Sequence, residues 1–190
     1  GAQAIATPAF STFNKQSTDE VGVYAQEQAK LGGFVLTLNG RQSWVSQTTT
    51  AGLDGVPSTQ KVAAFTGRAG LAYVFDSGIA PYVSYATSFA PQVGVDVSGT
   101  PFKPTTGEQK EIGIKYQMPQ VPVLLTAAVF DITQDNVLRT DPNSMAFQAA
   151  TGQVESKGVE LEAKLALKQG FDLTAAYTHL NVVIMQGNPD

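Results

Sequence analysis

The chain has 190 residues, 12 Lys and Arg against 16 Asp and Glu for a formal net charge of −4, one histidine and no cysteine. That length is enough for one domain, the charge balance excludes a basic nucleic-acid surface, and the lack of cysteine excludes a disulfide framework and thiolate chemistry. Charged residues are 15% of the chain, below the roughly 25% of an average soluble domain. No run approaches the ~18 consecutive apolar residues of a transmembrane helix, but membrane strands need only ~9–11 residues, apolar at alternate positions.

Residues 1–16 read as the tail of a loop, with no basic stretch leading into an apolar one. Eight strands are then predicted in chain order. The first, 20–30, turns at Leu31, Gly32 and Gly33 into the second, 34–47, and a polar loop follows over 48–60. The third and fourth, 62–75 and 80–89, carry the clearest pattern. Phe65, Ala69, Leu71, Tyr73 and Phe75 share one face, and Thr66, Arg68, Gly70 and Ala72 the other. After a turn at Asp76, Ser77 and Gly78, Val83, Tyr85 and Phe89 oppose Tyr82, Ser84, Ala86 and Ser88. A period of two with one apolar and one mixed polar face describes an antiparallel hairpin between two different solvents.

A long loop, 90–107, leads to the fifth strand, 108–116, where Ile112, Ile114 and Tyr116 oppose Glu111, Gly113 and Lys115. A short turn brings in the sixth, 122–133, whose two faces are both apolar, so its parity stays open. A third long connection, 134–152, precedes the seventh strand, 153–167. There Val159, Leu161, Ala163, Leu165 and Leu167 oppose Glu160, Glu162, Lys164 and Ala166. Lys168, Gln169 and Gly170 turn it into the eighth, 171–183, and the last residues read as the start of another loop. Both ends suggest a portion of something longer.

The expected fold class is therefore all-β, an antiparallel up-and-down meander of about eight strands. The connections run short, long, short, long, short, long, short, which is the habit of outer-membrane barrels. Charges confined to one parity fit a wall with lipid on the other side, where an Arg or Lys near the midplane costs roughly 2–4 kcal/mol. Alternation by itself does not distinguish lipid from a buried core, so a water-soluble sheet remains open from the pattern alone.

The wording of several segments narrows this. VGVYAQEQ (21–28), LTLNGRQSWV (36–45), FTGRAGLAYVF (65–75), APYVSYATSF (80–89), EQKEIGIKY (108–116) and GVELEAK (158–164) resemble, in order, strands of TonB-dependent outer-membrane receptors for ferric siderophores, the ferrichrome-receptor branch in particular. The chain departs from that family at Ser43, near which an aspartate is usual. The resemblance covers about Val21 to Asn181 and implies a 22-stranded transmembrane β-barrel in the cell outer membrane, of which residues 1–190 would be a middle part lacking the plug domain, the TonB box and the C-terminal strands. It implies uptake of ferric siderophores with energy supplied by TonB. The partners would be a ferric siderophore, TonB, the plug domain of the full-length receptor and outer-membrane lipid, with no nucleic acid. It implies no cofactor, since iron would enter inside its chelator, and no enzymatic activity. The alternatives are another membrane β-barrel such as a porin-like channel, and a soluble lipocalin-like small-ligand barrel.

Candidate residues follow from parity and resemblance. Glu111 and Glu160 match family glutamates of the inner wall that pair with plug arginines, and Glu162 is a weaker candidate; the plainer reading is a solvated carboxylate bridged to a neighbouring Lys or Arg. Arg41, Arg68, Lys115 and Lys164 would line the lumen, either along the path of an anionic ligand or in salt bridges within the wall. Phe102, with Phe10 and Phe13, is the aromatic material available for an amphipathic ligand, or else for loop packing. Tyr73, Tyr116 and Tyr177 suit an interface girdle. His179 has no cysteine or second histidine to build a metal site with, and neither G-x-S-x-G, a phosphate-binding loop nor H-E-x-x-H occurs. Glu160 and Glu162 stand side by side on one strand, with no partner across a cleft for acid–base work.

Overall fold

The computed structural model describes residues 14–51, 55–141, 144–167 and 170–185. They form eight strands and, among the described residues, no helix: β1 (Asn14–Leu31), β2 (Phe34–Ala51), β3 (Ser58–Tyr73), β4 (Ile79–Ala90), β5 (Thr105–Gln117), β6 (Val123–Asp141), β7 (Ser144–Leu167) and β8 (Phe171–Met185). Each strand pairs antiparallel with the next, in the order β1 to β8. The up-and-down meander expected from the period of two is the fold.

Tight turns close one end of the sheet. At the β3–β4 turn Gly78 takes φ +86, a conformation open to glycine, and its carbonyl accepts the Gln117 amide at 2.9 Å, tying the turn to the end of β5. The Lys168–Gln169 part of the β7–β8 turn lies outside the described residues.

The other end differs from the sequence reading. Residues 48–51 and 58–60 are strand, and Thr48 and Thr59 pair with their hydroxyls 3.0 Å apart. Residues 134–141 and 144–152 likewise extend the β6–β7 hairpin, with register shifts where Asn136 adopts φ +57. These tracts are polar enough to read as loop. Polarity, however, reports exposure of the side chains, whereas pairing is decided by the backbone ladder, which β-branched threonines favour. Of the three long connections expected, only 91–104 is a long loop among the described residues.

Register assigns every strand two faces, because directly paired residues share a side. Glu111 pairs with Phe130 and Gly113 with Ala128, while Ile112 pairs with Val129 and Ile114 with Ala127. The open parity of the sixth strand is thereby settled: Phe130, Ala128 and Thr126 share the polar face, and Val129, Ala127 and Leu125 the apolar one. Large apolar side chains of that face, among them Leu38, Phe65, Ile112, Val129 and Leu161, are exposed on their strands. The sheet has almost no core: among the described residues, Val45, Phe102 and Ala128 are the buried hydrophobic ones. A soluble lipocalin-like barrel would turn this apolar face inward and bury it. Here it is bare, and a patch of this extent needs a nonaqueous cover.

The apolar band has edges. On β2 it runs from Phe34 to Trp44, ten residue steps, which at ~3.3 Å per residue and ~40° of tilt is roughly 25 Å, the height of a membrane-barrel girdle. Tyr73 packs edge-on against Phe34 and Phe75, centroids 4.7 and 4.6 Å apart, at the turn end. Toward the loop end the apolar face becomes charged. Lys110, Asp131 and Lys157 form one cross-strand row and Glu108, Thr133 and Glu155 the next, with Lys157 Nζ 2.7 Å from Glu155 and 3.6 Å from Asp131. Charges on β5 and β7 therefore keep to the polar parity only within the band. Glu27 is the exception inside it: it pairs with Leu38 on the apolar side of edge strand β1.

Candidate functional site

The seven charged residues singled out from the sequence, Arg41, Arg68, Glu111, Lys115, Glu160, Glu162 and Lys164, all fall on the polar face. They are not equivalent there. At the centre of the face Tyr82 pairs with Gly113, and its ring lies flat over that glycine; a Cβ on Gly113 would meet ring atoms at 2.6 Å. Laid over in this way, the Tyr82 hydroxyl comes near the Glu111 carboxylate, which accepts from Gln109 Nε2 at 3.0 Å. Lys115 Nζ stands 5.2 Å from the Tyr82 ring centroid, within range of a cation–π attraction. Glu111 is thus engaged by neighbours in its own wall.

Glu160 sits one row below and two strands along, in the row Tyr82, Gly113, Ala128, Glu160. It is exposed, and no hydrogen bond or ion pair reaches it among the described residues. Arg68 is exposed on the same terms, in the row with Asn39 and Ala86. Glu162 is paired along its own strand with Lys164. Arg41 lies over Gly22 and reaches Glu20 Oε1 at 2.9 Å, while its Nε donates to Ser43 Oγ at 2.9 Å. The carboxylate that position 43 lacks is supplied by β1, one strand over.

At the loop end, residues 91–104 fold back onto the polar face. Gln60 Nε2, on β3, donates to the Phe102 carbonyl at 2.9 Å. Asn136 Nδ2, in the β6 irregularity, donates to the Pro104 carbonyl at 3.0 Å, and Thr105 Oγ1 donates to the Asn136 carbonyl at 3.1 Å and accepts from Gln92 Nε2 at 2.7 Å. Phe102 is 4% exposed. Its ring packs on Gly94, and its amide donates to the Gly94 carbonyl at 3.2 Å. Ser43, Val45 and Gln47, on the polar face of β2, are buried; Val45 is 3% exposed, whereas Trp44 beside it on the apolar face is 48% exposed. Gln60 pairs with Gln47 on that face, so the loop it holds sits on the polar side of the sheet.

The loop tip is an ordered turn. Asp96 Oδ1 accepts from the Ser98 amide at 2.8 Å, the Ser98 hydroxyl at 2.6 Å and the Thr100 amide at 2.9 Å. Those donors, the Ser98 hydroxyl foremost, hold the Asp96 carboxyl below its usual range.

Of the aromatic residues weighed for a ligand, Phe102 is enclosed within its loop, and Phe10 and Phe13 lie outside the described residues. Tyr73, Tyr116 and Tyr177 are on the apolar face, through their pairing with Phe34, Ile79 and Leu161. His179 pairs with Val159 on that face, and no group of metal-ligating side chains occurs among the described residues. Sequence reasoning missed Tyr82, Gln60 and Asn136. Tyr82 could have been found as a large ring at a polar-face parity opposite a glycine-bearing strand; Gln60 and Asn136 carry no local signal.

The family profile described as TonB dependent receptor-like, beta-barrel matches residues 1–190. The ferrichrome outer membrane transporter/phage receptor of Escherichia coli K12 is 36% identical over 170 residues, 90% of this chain and 22% of that protein. The ferrioxamine B receptor of Salmonella typhimurium is 35% identical over 175 residues, 92% of this chain and 25% of that protein. Among solved structures, the alcaligin outer-membrane receptor FauA of Bordetella pertussis superposes with a TM-score of 0.75 at 26% identity, over 93% of this chain and 32% of that one. The chain spans about a quarter of the length of the curated relatives it matches.

Proposed function

Since this chain belongs to the TonB-dependent receptor-like β-barrel family, we propose that it is a wall segment of an outer-membrane receptor that takes up ferric siderophores with energy supplied through TonB. The observation that carries the reading is the two-faced sheet with no core: an apolar band of membrane height on one side, and on the other a polar face with an inward-folded loop. Lipid covers the first and the receptor's lumen lies against the second. Iron enters as a ferric siderophore complex, so the wall needs no metal ligands of its own.

Within this reading the lumen-facing charges divide by what already holds them. Glu111, Glu162, Lys164 and Arg41 have partners in the wall, and Lys115 has the Tyr82 ring. Glu160 and Arg68 have none among the described residues and stand free in the lumen, which makes Glu160 the foremost docking point for a plug arginine and Arg68 its counterpart for an acidic group of plug or ligand. A carboxylate without a wall partner gains most from a cation brought to it.

The test is iron uptake in the host that carries the full-length receptor. Cells grown under iron restriction on ferrichrome, and separately on ferrioxamine B, as the sole iron source should lose uptake of at least one on deletion of the receptor gene, and lose it equally on deletion of tonB. Solute entry that persists without TonB and is lost with the receptor would identify a porin-like channel instead.

A further inference from the structure

We infer that the loop 91–104 is a fixed constriction of the barrel mouth, held against the inner wall by Phe102 as its keystone, and not a flap that opens and closes. This goes beyond the transport reading and holds whichever ligand the receptor takes.

Three observations carry it. The loop is tethered to the wall on both flanks, by Gln60 of β3 to the Phe102 carbonyl and by Asn136 of β6 to the Pro104 carbonyl, with Gln92 and Thr105 closing the same network. These tethers converge on β3 and β6, which flank the β4–β5 hairpin that carries the loop, so a rigid swing would have to break both sides at once. Second, Phe102 is enclosed with its ring packed on Gly94 of the same loop, so opening the loop would return an aromatic ring to water. Third, the fold-back depends on backbone that only glycine supplies easily. Gly94 has φ +108, and a Cβ there would meet the Phe102 ring at 2.9 Å. Inside the loop, Val95 bridges Pro101 and the Asp96 amide donates to the Thr100 carbonyl at 2.9 Å, so the tip is a stiff turn riding on an anchored base.

The experiment is pulsed EPR on the full-length receptor in native outer membranes, with spin labels at Val97→Cys on the tip and Lys61→Cys on β3. The expected result is a single narrow distance distribution, with the same centre before and after addition of ferrichrome or ferrioxamine B. Phe102→Ala and, independently, Gly94→Ala should each broaden it at least twofold and raise the rate of proteolysis within 94–102 about tenfold; Phe102→Leu should restore most of the narrow population. Gln60→Ala, which leaves the ring in place, keeps the test decisive if a ring variant fails to assemble, and should broaden the distribution to a smaller extent. Two distance populations in the parent, a shift of centre with either siderophore, or an unchanged distribution in Phe102→Ala and Gly94→Ala would overturn the inference.

Discussion

Tyr82 lies across Gly113, its direct partner on β5, and this brings its hydroxyl near the Glu111 carboxylate. The side chain crosses a strand because the position opposite offers no Cβ to stop it. Phe130 does the same over Gly158, where a Cβ would meet the ring at 2.6 Å. A wall with one layer of side chains has no second layer to pack against, so its rings pack along the sheet, and glycine provides the room.

Replacing Gly113 should therefore act through Tyr82. Gly113→Ala should push the ring into the lumen, take its hydroxyl away from Glu111 and destabilise the barrel by about 1–2 kcal/mol, in the range of overpacking. Thermal unfolding of the detergent-solubilised receptor measures it. The double variant with Tyr82→Ala should lose little more than Tyr82→Ala alone, since the two act on one contact; full additivity would contradict the arrangement.

The faces of β6 and β7 predict accessibility residue by residue. Spin labels at Val129 and Leu161 should be relaxed by oxygen dissolved in the bilayer. Labels at Phe130 and Glu162 should respond instead to a water-soluble nickel chelate. Equal behaviour of Leu161 and Glu162 would remove the membrane-wall reading of this sheet.

Glu160 and Glu111 separate the plug-docking role from wall structure. If a plug arginine docks at Glu160, Glu160→Ala leaves that cation unpaired, a loss of roughly 3–5 kcal/mol in a dry site and much less in a wet one. Small-solute leakage through the receptor in liposomes should then rise more for Glu160→Ala than for Glu111→Ala, because Glu111 is already held by Gln109. Siderophore affinity should hardly change. Leakage unaltered in both variants and in the double variant would retire the docking role for these carboxylates.

Asp96 gives the loop tip a pH dependence of known sign. Its carboxyl is held below the usual range by the Ser98 and Thr100 donors, so the ionised form is favoured in the folded turn. That contribution is complete above the unfolded carboxylate range, near pH 4, and disappears as pH falls through the lower folded value. A spin label at Val97 should stay immobile from pH 7 to about 4 and gain mobility below that. Asp96→Asn should flatten the profile; a label that loosens between pH 7 and 5 would point to another group.

Much of the fold is local and could be read along the chain. Which residues share a face within β3, β5 or β7 follows from a period of two, and the turns at Gly32, Gly78 and Gly170 are marked by their glycines. What lies opposite what is not local. The opposition of Tyr82 to Gly113 depends on register, which strand composition does not state. The sixth strand stayed open because Val129 and Phe130 are both apolar, and only its pairing with β5 separates them. Phe102 sits in a tract of Gly, Pro and Ser that reads as a free loop, and its anchor, Gln60, is 42 residues away.

The β6–β7 hairpin runs on from the charged row at Asp131 to Asp141, ten residues that at ~3.3 Å each and ~40° of tilt carry it roughly 25 Å past the edge of the apolar band. It is a paired ribbon, not a slack loop, and whatever meets it finds it already ordered. A partner that grips it need not first freeze a moving chain, which ordinarily consumes about 1–2 kcal/mol per backbone residue. The strand pairing that makes this end of the sheet stiff also makes it a ready handle for whatever approaches it.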